Sequence, residues 1–287
     1  MNKDRREFLQ KAARIGGLTA IMGLGGHRLV DECLASNIFI SGHKAATADE
    51  NTSWATWDEV TEAGWGDSAN TYIALMESGV GANEIGLGIT GLSEANRTLT
   101  QNGDIPGASG GYRTLNGTGS QYFTFTAGWI TAIFGNPSWI YIIKLIIDAA
   151  DPYGGLFVYD AAEPPDELIY MRVHTDGKLE GQVKDPSGYE DLSTTDSVTT
   201  GSIIWCAFWT NNTSGKTRMG FSTTRPTKWS NFSANSRREF ALCYDGIVGD
   251  TACEYNYIGR VATLYIKAQV AYIIASKNPG GFIDDSV

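Results

Sequence analysis

Chemistry needs side chains that move protons, attack or hold an ion, so the places where such residues gather come first. Three carboxylates crowd into Glu163-Pro164-Pro165-Asp166-Glu167. Two carboxylates can flank a glycosidic bond as acid and nucleophile, but on a strand they share a face only when they alternate. This run does not alternate, and its prolines make it a loop, so it reads as a solvated charge cluster. His174 is the one histidine beyond the first 48 residues, and no G-x-S-x-G occurs, so a Ser-His-Asp site has little to draw on. Three histidines in all also leave a multi-histidine zinc centre short of ligands. Gly86-Leu87-Gly88-Ile89-Thr90-Gly91 spells G-x-G-x-x-G, but outside a strand-helix-strand unit it reads as a flexible turn.

Binding chemistry has better material. A sugar stacks its C–H face on an aromatic ring and offers its hydroxyls to planar polar groups. Tyr153 lies in Asp151-Pro152-Tyr153-Gly154-Gly155, Trp229 follows Pro226-Thr227-Lys228, and Trp209 stands near Asn211 and Asn212 at a strand end. Tyr153, Trp209, Asn211 and Trp229 are therefore the ligand-binding candidates. The plainer alternative is that Trp129, Trp139 and Trp205 fill a core, with Trp209 and Trp229 capping it. Asp148, Asp151 and Asp160 are read as surrounding one tight loop where calcium could find oxygens, though without EF-hand spacing; no other cofactor is expected. Cys243 and Cys253 flank a turn-rich stretch and could close a disulfide or stay reduced, whereas Cys206, inside an apolar run, reads as a buried thiol.

The elements that must position these residues are short strands. From about residue 70, runs of β-branched and aromatic residues are bounded by Gly, Asn, Asp or Ser clusters. Residues 139–147 are apolar on both faces apart from Lys144, as a central covered strand would be. Segments 122–126, 156–159, 168–174, 179–184, 202–210, 216–221, 240–244, 255–258, 261–266 and 269–275 follow as strands, and 71–77 fits either strand or helix. Thr175-Asp176-Gly177-Lys178 signals a hairpin. No helical periodicity lasts three turns, and the one candidate helix is residues 57–62, behind Thr56. About a dozen strands at such spacing predict an all-β, antiparallel two-sheet sandwich.

The N-terminus has a different composition. The chain carries 22 Lys and Arg against 32 Asp and Glu, a net charge of −10, but residues 1–48 hold seven basic and four acidic side chains. Arg5, Arg6, Phe8 and Leu9 precede a glycine-interrupted apolar stretch, and Ala46-Thr47-Ala48 forms an A-x-A pattern, so residues 1–48 resemble a twin-arginine export signal with a helical segment. The apolar run is shorter than the ~17–25 residues of a membrane span. The acidic remainder has no basic stripe for phosphates, which argues against nucleic acid as a partner.

Several segments together resemble laminin-G-like, concanavalin-type jelly-roll modules. Thr71 through Gly79 resembles their opening strand, Leu92-Ser93-Glu94-Ala95-Asn96-Arg97-Thr98-Leu99-Thr100 their Asn-containing loop, and Leu115-Asn116-Gly117-Thr118-Gly119-Ser120-Gln121-Tyr122-Phe123 a turn-and-strand segment. Ile258-Gly259-Arg260 is similar to the Ile-Gly-Arg element before their closing strand. Where such modules place a Tyr-Val-Asn-Gly type hairpin, this chain has Met219-Gly220-Phe221-Ser222. The resemblance implies a jelly-roll sandwich over residues 70–287, preceded by an extension at 49–69, and some such modules bind calcium.

The expectation is a non-catalytic module, exported to the periplasm or beyond the cell, that binds a glycan or surface polysaccharide. Two alternatives stay open: a structural or assembly subunit of an extracellular or viral particle, including a homo-oligomer, and a hydrolase or lyase on the same fold.

Overall fold

The structure is a computed structural model of the chain. It describes residues 60, 63–117, 121–149, 153–160, 168–185, 188–211, 215–241, 255–277 and 279. The export signal with Arg5, Arg6, Phe8, Leu9, Ala46 and Ala48, the Cys243 and Cys253 pair, Asp151, the 163–167 cluster and, apart from Val60, the 57–62 helix lie outside these residues.

Strands dominate the described residues. In chain order they are β1 (Thr71–Leu75), β2 (Glu84–Ile85), β3 (Leu87–Gly88), β4 (Thr98–Asn102), β5 (Arg113–Asn116) and β6 (Tyr122–Thr124). The long strands come next: β7 (Ser138–Ile147), β8 (Gly154–Asp160), β9 (Leu168–Val173), β10 (Lys178–Asp185), β11 (Gly188–Ser197), β12 (Ile203–Asn211) and β13 (Lys216–Ser222). The chain then adds β14 (Arg237–Phe240), β15 (Tyr255–Ile258), β16 (Arg260–Val261), β17 (Leu264–Tyr265) and β18 (Lys267–Lys277). The first sheet runs β14-β13-β12-β7-β18-β1-β3, with β5 also on β18, and the second runs β11-β10-β9-β8-β15-β6-β4-β2. Pairing within both is antiparallel, and the two sheets form a jelly-roll sandwich.

β7 is central in the first sheet because both its neighbours are long. It pairs with β12 from Ser138 to Ile146 and with β18 from Trp139 to Ile147. Its inward residues Tyr141, Ile143, Leu145 and Ile147 join Phe157 and Tyr159 of β8 and Ile169, Met171 and Val173 of β9 in the main core. Each such side chain contributes about 1.5–3 kcal/mol by leaving water. The Tyr141 hydroxyl donates to the Leu156 carbonyl at 3.0 Å, tying sheet to sheet.

Several features depart from the sequence reading: the strand expected at 240–244 is β14, Arg237–Phe240, and the one expected at 261–266 is split into β16 and β17. The sandwich also holds helices α1 (Glu94–Arg97) and α2 (Ala127–Phe134). The Thr126 side chain caps α2 by accepting from the Trp129 amide, and Trp129, Ile130, Ile133 and Phe134 are buried. Only two turns long, α2 shows too little periodicity to stand out in the sequence. β11 was also not expected, since it is a polar edge strand whose outward residues leave no apolar run to notice.

Arg113 and Glu84 form a buried ion pair at 2.8 Å. The guanidinium also donates to the carbonyls of Ala82, Ile105 and Pro106 and to Gln101 Oε1, so all its donors have partners. Glu84 in turn accepts from the Ser78 hydroxyl at 2.8 Å. This network pins the loops on either side of β2 and β4.

Candidate functional site

The outer face of the first sheet is closed. Outward residues Ile140 and Ile142 of β7, Trp205, Ala207 and Trp209 of β12 and Tyr272 and Ile274 of β18 form a second core with Val60, Ala63, Trp65 and Phe232. Trp65 Nε1 donates to the Pro226 carbonyl at 2.9 Å, fastening this cover. Beneath it Lys144 is fully buried, its Nζ 4.9 Å from the Trp205 ring centroid and 5.5 Å from that of Tyr272, while Trp205 Nε1 donates to the Tyr272 hydroxyl.

Three of the four residues expected to bind a ligand belong to this closed region, with Trp229 at its half-buried edge. Trp209 has no exposed surface, lying edge-to-face with Trp229 at 5.0 Å and stacked on Phe232 at 5.6 Å. Asn211 is buried as well. Neither offers a surface to a sugar, because the chain around residues 226–232 folds back over the end of β12. Trp229 is half-buried, with the guanidinium carbons of Arg237 and Arg218 at 4.6 and 5.1 Å from its ring centroid. Tyr153 is half-buried at the start of β8.

Asp148 and Asp160 do not share one loop. Asp148 follows the end of β7 and pairs with Lys267 at 3.2 Å. Asp160 is at the far end of β8, six residues beyond Gly154 and so roughly 20 Å away at ~3.3 Å per residue. Among the described residues no group of three or more His, Cys, Asp or Glu is placed to hold a metal ion.

The outer face of the second sheet is polar along β9, β10 and β11, half-exposed at most of these side chains, and covered where Val158 and Tyr170 are buried. Alternation puts Tyr170, Arg172 and His174 on one side of the β9 segment and Glu180 and Gln182 on the same side of β10. Register sets Arg172 opposite Glu180 and Tyr170 opposite Gln182, and Gln182 opposite Asp191 of β11. The hairpin that fixes this register closes through Gly177 N–H to the His174 carbonyl at 2.8 Å, with Gly177 at φ 80° as the Asp-Gly turn requires.

These side chains bond to one another. The Tyr170 hydroxyl donates to Glu180 Oε1 at 2.7 Å, with Asp191 Oδ1 3.3 Å away. Arg172 reaches Glu180 Oε1 through Nε at 2.8 Å and Nη2 at 2.5 Å, and Gln182 Nε2 donates to Asp191 Oδ1. His174 Nδ1 is 3.2 Å from Asp176 Oδ1. Burial, and then the hydrogen bond to Glu180, hold the Tyr170 hydroxyl protonated well past the ordinary phenol range. The result is a planar lattice of donors and acceptors whose outer edges are wet.

Beside this lattice stands an aromatic group. The Arg260 guanidinium carbon lies 4.6 Å from the Tyr257 ring centroid, 5.0 Å from that of Tyr122 and 5.4 Å from that of Tyr265, and all four residues are half-exposed. Tyr122 and Tyr257 meet edge-to-face at 5.0 Å. Gly155 makes the placement feasible, since a Cβ there would come within 2.2 Å of the Arg260 carbonyl oxygen. Because Gly155 pairs with Arg172, the β16–β17 hairpin crosses the sheet one strand from the polar lattice. Val158, Tyr170 and Val261 pack together between the two groups.

Sequence reading did not single out this face. A signal was present: Tyr170-x-Arg172-x-His174, an Asp-Gly turn, then Glu180-x-Gln182. Arg260 enters the sequence reading only as part of the Ile258-Gly259-Arg260 element before the closing strand.

No protein-family model matches the chain, and no curated protein matches it in sequence. Solved structures similar to it include the Trypanosoma rangeli sialidase, at 10% identity and a TM-score of 0.48 over 74% of this chain and 31% of that one. The Ruminococcus gnavus IT-sialidase CBM40 is similar over 57% of this chain and 89% of its own, at 10% identity and a TM-score of 0.41. The mouse laminin alpha1 LG4-5 domains are similar over 48% and 35%, at 10% identity and a TM-score of 0.36. This chain thus spans under a third of the sialidase's length. Likenesses this distant carry neither a ligand nor an activity over to it.

Proposed function

We propose that this chain is a non-catalytic carbohydrate-binding module that takes a glycan on the outer face of the second sheet. The observation that carries this reading is the juxtaposition of Tyr122, Tyr257 and Tyr265 with the Arg172, Glu180, Gln182 and Asp191 lattice on one half-exposed face. The rings supply faces for sugar C–H groups, and the lattice supplies acceptors and donors held in register for hydroxyls. Loss of a stacking ring costs about 0.5–1.5 kcal/mol, or up to about tenfold in affinity.

A hydrolase is the second reading that an observation touches, because Glu180 and Asp191 approach the same Tyr170 hydroxyl. Both carboxylates already accept from Tyr170, Arg172 or Gln182, which suits a binding lattice better than an acid–base pair. Export through the N-terminal twin-arginine-like segment belongs to the proposal, and among the described residues no helix is long and apolar enough to cross a membrane. The test is a glycan array probed with the full chain and with the double substitution Tyr122→Ala and Tyr257→Ala. Binding by the parent and its loss in the double variant are expected; equal binding by both would place the site elsewhere.

A further inference from the structure

We propose that Arg260 reads a carboxylate, so that the glycan taken by this face is an acidic saccharide containing a uronic or other carboxylated sugar. The inference rests on the glycan-binding reading above and adds the class of ligand. Other arginines near the site or in the core are already engaged: Arg113 by Glu84, Arg172 by Glu180 and Arg218 by Glu239. Arg260 forms no ion pair among the described residues. Its Nε donates to the Ala262 carbonyl at 2.8 Å, and among the described residues its two terminal nitrogens have no hydrogen-bond partner, so they form a fork of donors at a half-exposed position among three tyrosine rings. Two parallel N–H groups on a planar cation match the two oxygens of a carboxylate, and rings around the cation keep it in place without neutralising it.

The backbone is shaped to hold this arginine. Gly259 sits at φ 97°, and a Cβ there would come within 2.7 Å of Leu115 Cδ1, so the turn into Arg260 tolerates no side chain. Ala262, whose carbonyl orients the guanidinium, adopts φ 49°, a conformation uncommon outside glycine. A net charge of −10 disfavours anionic ligands over the protein as a whole, so an acidic saccharide would have to be chosen by local geometry. An uncommitted guanidinium fork beside stacking rings is such a geometry.

The test pairs carboxylated glycans with the same glycans after carboxyl reduction to the alcohol, and includes neutral and sulfated sets. Full-length protein is compared with Arg260→Gln and Arg260→Lys, with thermal unfolding confirming that each variant is folded. The parent is expected to prefer carboxylated over reduced glycans by at least tenfold. Arg260→Gln should level the two, and Arg260→Lys, which keeps charge but loses the planar fork, should restore only part of the preference. An unchanged preference in Arg260→Gln overturns the inference, as does binding confined to sulfated glycans. Equal binding of carboxylated and reduced forms by the parent also overturns it while leaving the glycan reading intact. Binding to none of the sets removes both.

Discussion

The two outer faces of this sandwich use similar residues to opposite ends. On the first sheet Trp205, Trp209 and Tyr272 lie under Trp65 and Phe232, and even Lys144 is enclosed, its charge against two rings. On the second sheet Tyr122, Tyr257 and Tyr265 surround Arg260 at half-exposed positions. Cations stand over aromatic rings in both places, so residue type alone does not separate a structural site from a binding site. Access and remaining hydrogen-bond capacity do. The same contrast holds between Arg113, whose donors are all satisfied inside the protein, and Arg260, whose terminal nitrogens meet no carboxylate among the described residues.

If the contrast is correct, substitutions on the two faces separate stability from binding. The largest effect is expected for Trp209→Ala, which opens a cavity in the closed face and should lower stability by about 3–5 kcal/mol in urea unfolding. The folded fraction should keep its glycan affinity; a loss of affinity would mean the closed face takes part in binding. Arg113→Met should cost about 3–5 kcal/mol as well, because it strands the buried Glu84 carboxylate. Arg260→Met, at a half-exposed site, should cost about 1 kcal/mol. Comparable losses in the two would erase the distinction between them.

Tyr170→Phe should cost about 1 kcal/mol near neutral pH by removing the hydroxyl that bridges Glu180 and Asp191. It also has a pH signature. In the unfolded chain the phenol ionises near its ordinary value of 10.0, whereas the folded protein keeps Tyr170 protonated above it. The folded state therefore binds more protons above that pH, and this contribution to stability is full below pH 10 and declines as pH rises past it. Tyr72 and Tyr141 act in the same direction. The free energy of unfolding, measured between about pH 9 and 11.5, should fall less steeply with rising pH in Tyr170→Phe than in the parent. The smallest effect is expected for Ala262→Asn, which suits the left-handed backbone better and should raise stability by up to about 1 kcal/mol. A decrease would indicate that the Ala262 methyl is needed where it sits.

Much of the fold was legible in the sequence. The both-faces-apolar run at 139–147 is the central strand β7, and the Asp-Gly turn closes the β9–β10 hairpin. The site was harder to read, because tryptophans beside asparagines look like a sugar site until the chain that covers them is seen. Trp209 is buried by residues about twenty positions downstream, a contact no local pattern encodes. The polar face depends on strand register and on the approach of Arg260 to Gly155 across more than a hundred residues, and short motifs do not carry that information. The calcium reading of Asp148 and Asp160 took closeness in sequence for closeness in space, but a seven-residue strand separates them.

The central claim is that ligand binds on the polar face and not on the closed one. Hydroxyl-radical footprinting of the full chain, with and without a glycan that binds it, reads both faces in one experiment. Protection is expected at Tyr122, Tyr257 and Tyr265, with Trp229 unchanged. Protection of Trp229 with the three tyrosines still reactive would contradict the account.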